Sequence, residues 1–197
     1  MKTSDVEQSR ESELRSLLRI VARLFECPTS GWKADLLLEE YLDELTDREV
    51  GDSLRHFWNA KQHLSVEELW QRYVDTFELK DNTTLYLAAY LYETASERAL
   101  ALQRLNLAYR RMGLSNQRSE LSDYLPALFE FAATASMMEG AVVMQEYRPA
   151  MIRLEQTLRN MESIYADVAQ ACRILTDRVI QRGGGFLLQT LAGGTVQ

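Results

Sequence analysis

The sequence is poor in the residues that interrupt helices. Its 197 residues include three prolines and nine glycines, and five of those glycines follow residue 182. Proline and glycine are the strongest breakers of helices, so their scarcity favours long helices in the first 182 residues. No segment alternates apolar and polar side chains in the manner of a half-buried strand. We therefore predict an all-α fold, a single-domain bundle of about eight to nine helices over residues 1–182, followed by a glycine-rich flexible tail at 183–197.

The sequence is also poor in side chains that bind metals or carry catalysis. Cys27 and Cys172 are the only cysteines. They are too far apart in sequence for a paired metal-ligand motif, and both are predicted to be reduced. His56 and His63 fall in no recognised ligand pattern. The nucleophile elbow, the phosphate-binding glycine loop and the H-E-x-x-H motif are missing as well. We expect no metal, no cofactor and no catalytic residue, and hence no enzyme.

Long apolar runs and an excess of positive charge are missing too. No window approaches the ~20 apolar residues of a membrane span, and no apolar run follows a basic N-terminus, so we expect a cytoplasmic protein. The formal charge is −7 and the pI is about 5.0. Such a charge repels phosphate backbones and attracts cationic partners. The arginines of segment 96–112, the one candidate for a DNA-reading helix, do not share a face, so we expect no nucleic-acid partner.

Local signals mark where the helices begin and end. The residues Ser65–Glu68 and Thr94–Glu97 have the spacing of capping boxes, and Gly113 is typical of the left-handed residue that ends a helix. The apolar spacing over Leu14–Phe25 predicts the first helix. The other predicted helices are Trp32–Leu45, a segment from Asp47 through Lys61, one through Leu69–Phe77, Leu85–Tyr92, Ser96–Met112, one from the Ser119–Phe131 stretch to about Met138, Glu146–Asn160 and Glu162–Gln181,.

The segment Ser119–Phe131 joins an acidic turn to an apolar helix. Glu120 and Asp123 flank the turn, and Pro126 falls where the first helical turn tolerates a residue without an N–H. The residues that follow are small and apolar enough to be buried. An exposed acidic turn beside apolar surface predicts a groove for a segment that is basic at one end and apolar at the other. Alternatively, the acids cap the helix that starts at Tyr124.

Three stretches together resemble a known family. They are Tyr73–Glu78 followed by Thr84–Leu87, Glu97–Ala99 through Tyr109, Gly113 and Leu114, and Glu120–Pro126 with Glu130 and Phe131. In this combination they are similar to the delta-subunit (NarJ-type) assembly chaperones of respiratory nitrate reductase, which are relatives of the TorD and DmsD group. The acidic motif of that family usually reads E-L-P-D-H-L-P. Ser122 and Tyr124 stand here in place of its first proline and its histidine.

The resemblance implies an all-helical chaperone without turnover. Such proteins bind the N-terminal, twin-arginine-like segment of the apo catalytic subunit and keep it competent for molybdenum cofactor insertion and membrane docking. The expected partner is that subunit of nitrate reductase, with at most transient membrane association through the client, and the chain itself is expected to be a monomer or homodimer. The residues expected to line the peptide-binding site are Asp75, Phe77, Tyr86, Tyr90, Glu120, Asp123, Tyr124, Leu125 and Pro126.

Two alternatives stay open at this point. One is a proofreading chaperone for another molybdoenzyme, such as a sulfoxide or N-oxide reductase. The other is a helical, non-enzymatic adaptor or dimeric regulator.

Overall fold

A computed structural model describes residues 3–29, 31, 36–113 and 122–193. Within that part the protein is a bundle of nine α-helices without strands, so the predicted all-α class is confirmed. The helices are α1 Thr3–Leu24, α2 Leu36–Glu44, α3 Arg48–Gln62, α4 Val66–Tyr73, α5 Ala88–Leu91, α6 Ala95–Arg111, α7 Leu125–Thr134, α8 Met137–Asn160 and α9 Tyr165–Gly193. The predicted start of α2 at Trp32 lies outside the described residues.

The long helices α8 and α9 form the centre of the bundle. They pack against each other over much of their length, α1 packs on α7, and α3 packs on α9. The core between them contains large fully buried side chains, among them Phe25, Phe57, Phe129, Tyr147 and Tyr165. Each buried aromatic or aliphatic side chain of this size stabilises the fold by roughly 1.5–3 kcal/mol relative to exposure.

Side-chain caps fix several helix starts as predicted. Both capping boxes are present, at Ser65 with Glu68 and at Thr94 with Glu97. The Asp47 carboxylate accepts the Val50 N–H at 3.2 Å and also pairs with Arg178 of α9. These caps satisfy N–H groups that a helix start leaves without partners. Gly113 has φ +70°, as expected of a helix end.

The boundary between α7 and α8 differs from the prediction. The expected helix running to about Met138 ends at Thr134, and α8 begins at Met137 instead of Glu146. Helix α8 begins early because Ser136 is its N-cap, which was not predicted. The Ser136 hydroxyl accepts the Glu139 N–H at 3.2 Å. Arg15 of α1 covers the junction by donating to the Ala133 and Ala135 carbonyls at 2.8 and 2.9 Å.

The predicted helix Leu85–Tyr92 is wrong. One 3₁₀ turn covers Asp81–Thr83, and only Ala88–Leu91 is α-helical. The backbone between these two turns forms hydrogen bonds with another segment and not within a helix. The Leu125 N–H donates to the Leu85 carbonyl at 2.8 Å, and the Leu87 N–H donates to the Asp123 carbonyl at 3.1 Å. The segment is therefore held by a neighbour distant in sequence.

The prediction that regular structure ends at the triple glycine is also wrong. Helix α9 continues past Gly183 to Gly193, so the proposed boundary at 182/183 falls inside a helix. A Cβ atom on Gly183 would collide with Ala141 and lie 2.5 Å from the Met137 carbonyl oxygen. Glycine here permits close packing of α9 on the start of α8.

Candidate functional site

Asp123 does not lie on the surface, where the predicted acidic turn would have it. Its side chain is only 1% exposed, and its Oδ2 accepts the Ala88 N–H at 2.9 Å. Burial raises the pKa of this carboxyl, and the hydrogen bond from Ala88 and the charge of Arg98 oppose that effect only in part. The expectation of an exposed acidic turn is wrong for Asp123. The alternative that Asp123 caps the helix after Tyr124 is also wrong, because that helix has no side-chain cap and Asp123 accepts the first N–H of α5 instead.

The residues on either side of Asp123 divide between core and surface. Leu125 and Pro126 are buried, and Glu120 lies outside the described residues. Tyr124 is half-buried and forms an isolated antiparallel bridge with Tyr86. The two tyrosine rings lie 5.4 Å apart between centroids. The predicted residues Tyr86 and Tyr124 therefore meet at one place on the surface.

A chain of aromatic rings connects this place to the core. The Tyr73 and Tyr124 hydroxyl oxygens are 3.4 Å apart, and the Tyr73 hydroxyl donates to the Phe25 carbonyl at 3.1 Å. Phe77 packs on Tyr73 with centroids 5.1 Å apart and on Tyr165 with centroids 4.9 Å apart. Phe77 is itself 6% exposed, so it supports the surface from beneath instead of lining it.

A π-helical turn, Val74–Glu78, follows α4 and orients these side chains. It buries Phe77 and Thr76 while leaving Asp75 and Glu78 exposed. The Thr83 hydroxyl donates to the Thr76 carbonyl, which fastens the next turn of chain to it. Single π turns occur frequently at functional sites, because the extra residue re-aims the side chains around it. Predicted residue Asp75 stays on the surface, where it accepts a hydrogen bond from Gln71 at 2.9 Å.

Trp70 and Cys27 extend this surface beyond the predicted residues. Trp70 is 46% exposed, and Leu79, next to the π turn, is 70% exposed. Burial and then the charge of Glu78 raise the pKa of the Cys27 thiol, while a hydrogen bond from Trp70 opposes the rise. Cys27, Trp70 and Glu78 are therefore neighbours. Helical spacing is only a partial signal for Trp70, because position 70 lies about 100° from the buried Leu69 and about 60° from the buried Tyr73, at the edge of the buried stripe of α4,.

We call this surface the aromatic ledge and define it by Cys27, Trp70, Tyr73, Glu78, Tyr86 and Tyr124. It combines the exposed indole of Trp70 and the half-buried phenol rings of Tyr86 and Tyr124, with Tyr73 buried behind them, and the exposed Glu78 carboxylate. The stretch Val66–Asp81 alone contains five acidic and two basic residues. Such a surface can bind the apolar face of a helix through its rings and basic side chains through its carboxylates.

Tyr90 is placed differently from the other predicted tyrosines. Its hydroxyl donates to the Thr84 carbonyl at 2.9 Å, and its ring lines a polar cleft of about 570 Å³. The other residues lining that cleft are Asp81, Asn82, Ala89, Arg153, Gln156, Thr157 and Asn160. None of them belongs to the aromatic ledge, so the structure does not bring Tyr90 into it.

Neither a metal site nor a membrane span is found among the described residues. They contain no group of three or more His, Cys, Asp or Glu side chains that could hold a metal ion. No helix in this part of the chain is both long and apolar enough to cross a membrane.

Comparison with known proteins assigns the chain to a family. Residues 35–169 match the model of the family described as nitrate reductase delta subunit. The chain belongs to this family.

Curated relatives agree with the match. The chain is 30% identical over 146 residues to the probable nitrate reductase molybdenum cofactor assembly chaperone NarJ of Bacillus subtilis, covering 74% of this chain and 79% of that protein. It is 25% identical over 152 residues to the nitrate reductase molybdenum cofactor assembly chaperone NarJ of Escherichia coli K12. This match covers 76% of this chain and 64% of that protein. A match to the nitrate reductase-like protein NarX of Mycobacterium tuberculosis is 34% identical over 103 residues, covering 52% of this chain and 16% of NarX.

Proposed function

We propose that the protein is a non-enzymatic, cytoplasmic assembly chaperone of a respiratory nitrate reductase. It binds the N-terminal segment of the apo catalytic subunit and keeps the subunit competent for molybdenum cofactor insertion and membrane docking. The family match and the names of the Bacillus and Escherichia relatives support the chaperone role.

The aromatic ledge is the proposed place of binding. The observation that carries this is the exposure of Trp70, whose side chain is a hydrogen-bond partner of Cys27, the thiol that the Glu78 carboxylate also acts on. An amphipathic, basic segment would lay its apolar side chains on Trp70 and on the half-buried Tyr86 and Tyr124. Its arginines or lysines would face Glu78 and Asp75. Affinity then comes mainly from the apolar contact, and the charges add steering and orientation.

Titration calorimetry with a peptide that copies the N-terminus of the reductase catalytic subunit tests the proposal. We expect micromolar affinity or better, roughly −8 kcal/mol. Trp70→Ala removes the exposed ring and Glu78→Lys reverses the charge, and we expect each to weaken binding at least tenfold. Val142→Ser on α8, where the side chain is 61% exposed, and Glu7→Lys on α1 are matched controls that leave affinity unchanged.

The outcomes separate the parts of the proposal. Tight binding that survives both ledge substitutions would move the site away from the ledge. No binding to the nitrate reductase peptide, with binding to the leader of a sulfoxide or N-oxide reductase in the same panel, would change the client. No binding to any peptide would remove the client segment from the proposal.

A further inference from the structure

A cavity of about 400 Å³ lies between α1 and α9. Residues of these two helices and the two residues before α3 line it. They are Arg10, Glu13, Leu14, Leu17, Thr46, Asp47, Arg178, Gln181 and Arg182. Small-molecule sites commonly have volumes of ~300–1,000 Å³. Arg10 precedes the end of α1 at Leu24 by roughly 21 Å of helix axis, so the cavity is separate from the aromatic ledge around Cys27,.

Helical spacing brings three arginines into this cavity. On each helix the lining residues recur at intervals of three and four positions, which places each set on one helix face,. Arg10 of α1 therefore shares the cavity with Arg178 and Arg182 of α9. Three arginines against the two acids Glu13 and Asp47 make the cavity locally basic, in a protein whose net charge is −7.

Arg178 is already neutralised by its own chain. Its Nη2 donates to Asp47 Oδ1 at 3.1 Å and to Glu49 Oε2 at 3.2 Å, and its Nη1 pairs with the other Asp47 oxygen. Two carboxylates therefore compensate this guanidinium and hold it in place. The free positive charge of the cavity has to come from Arg10 and Arg182.

Arg10 and Arg182 differ from Arg178 in having no such partner. Within the described ranges of the chain, neither side chain forms an ion pair or a hydrogen bond. The remaining acid, Glu13, also lines a neighbouring cavity together with Tyr41, and burial and then the Glu13 charge raise the pKa of the Tyr41 hydroxyl. The two guanidiniums outnumber the one carboxylate that is left to them. An anion would supply the missing partner.

The chemistry of the lining groups favours a phosphate ester over a carboxylate. A phosphate monoester has three strong acceptor oxygens, so it can accept at once from guanidiniums on two helices and from the Gln181 amide. A carboxylate has two oxygens, which one guanidinium satisfies in a two-point contact. Leu14 is 4% exposed and Leu17 is 1% exposed, and they give the cavity an apolar wall for the organic part of a ligand.

We propose that this cavity is a binding site for a phosphate ester of a small organic molecule. Arg10 and Arg182 bind the phosphate, and the organic part packs on Leu14 and Leu17. A basic client segment fits the cavity poorly, because it would meet the same two guanidiniums. The site is therefore distinct from the client-binding one, and neither proposal depends on the other.

Titration calorimetry of the full chain with phenyl phosphate, inorganic phosphate and benzoate at constant ionic strength tests the proposal. We expect phenyl phosphate to bind with a dissociation constant of about 1 mM or tighter. Inorganic phosphate should bind more weakly because it lacks the apolar part, and benzoate most weakly because it has two acceptor oxygens. Arg10→Gln and Arg182→Gln should each weaken the binding of phenyl phosphate about tenfold, since each removes charge-assisted hydrogen bonds.

Arg111→Gln on α6 is the matched control, because it removes the same charge from an exposed position outside the cavity. It should leave the affinity for phenyl phosphate unchanged, and all three variants should keep the helical circular dichroism spectrum. An equal loss of affinity in the three variants would indicate attraction to overall charge alone and would overturn the site. The absence of saturable binding of every probe would overturn it as well. Inorganic phosphate that binds as tightly as phenyl phosphate would overturn the assignment of an ester.

Cross-tests keep this site apart from the client-binding one. Trp70→Ala should leave the affinity for phenyl phosphate unchanged, and Arg182→Gln should leave the affinity for the client peptide unchanged. Loss of phenyl phosphate binding in Trp70→Ala would place the probe on the aromatic ledge and overturn the cavity as its site. Failure of the client peptide to bind, with phenyl phosphate still bound, would leave the cavity standing and remove only the client segment.

Discussion

The buried carboxylate of Asp123 joins two segments that are distant in sequence. Its side chain accepts the Ala88 N–H at the start of α5, and its carbonyl accepts the Leu87 N–H, so one residue fixes two successive backbone groups beside the Tyr86–Tyr124 bridge. A buried charge is costly unless hydrogen bonds compensate it. Burial raises the pKa of this carboxyl above its ordinary value of 3.8, so the charged form of Asp123 lowers the free energy of unfolding,.

The pH dependence of the free energy of unfolding should reveal the cost of keeping the Asp123 carboxylate charged. A carboxyl whose pKa is higher in the folded state than in the unfolded state binds its proton first in the folded state. Its unfavourable contribution is complete above the folded pKa and is relieved as the pH falls towards 3.8,. We therefore expect the free energy of unfolding of the wild type to rise relative to Asp123→Asn between pH 7 and pH 4.

Urea unfolding of both proteins at several pH values measures this difference, because the other titrating groups cancel in the comparison. Asp123→Ala serves as a reference that leaves the Ala88 N–H without its acceptor, and it should be less stable than Asp123→Asn by roughly 1–3 kcal/mol at every pH, because neither variant titrates at this position. A constant difference between the wild type and Asp123→Asn would contradict the raised pKa.

At the scale of elements, the contact between α8 and α9 depends on one glycine. A Cβ atom on Gly183 would collide with Ala141 and the Met137 carbonyl, whereas a Cβ atom on Gly184 would meet no atom of another described element within 4 Å. Gly183→Ala should therefore destabilise the protein. Gly184→Ala should stabilise it by up to about 1 kcal/mol, because alanine favours helix more than glycine does.

Thermal and urea unfolding of the two alanine variants measure the contrast. Each variant is the control for the other, since the substitution and the helix are the same. Equal effects would show that the close approach of α9 to Met137 is not required for stability.

Elements with local signals could be predicted from sequence, and elements held by distant partners could not. Ser65 and Thr94 lie three residues from the groups that they cap, so their spacing alone predicts the helix starts. Asp123 caps Ala88, 35 residues earlier, and no local pattern contains that pairing. The phase of Trp70 on α4 places it only at the edge of the buried stripe, and the meeting of Tyr86 with Tyr124 depends on the fold.

At the scale of the whole molecule, a net charge of −7 acts on any approaching basic segment. The attraction extends about 8 Å at physiological ionic strength and shrinks as salt is added. We expect the association rate of the basic client peptide to fall roughly tenfold between 50 mM and 500 mM NaCl, with a smaller change in its dissociation rate.

Stopped-flow measurement of intrinsic tryptophan fluorescence, to which Trp70 contributes together with Trp32 and Trp58, follows both rates. Glu78→Lys should reduce the dependence of the association rate on salt, and the matched Glu7→Lys variant should reduce it less. A dissociation rate that rises with salt as steeply as the association rate falls would indicate that charge contacts dominate the bound state.

The placement of the two cysteines has a practical consequence for studying the client. Cys172 is buried, whereas Cys27 is exposed beside Trp70. A maleimide reagent should therefore modify the native chain at a single position, without engineering. Protection of that thiol from alkylation would then map the footprint of whatever molecule settles over the indole.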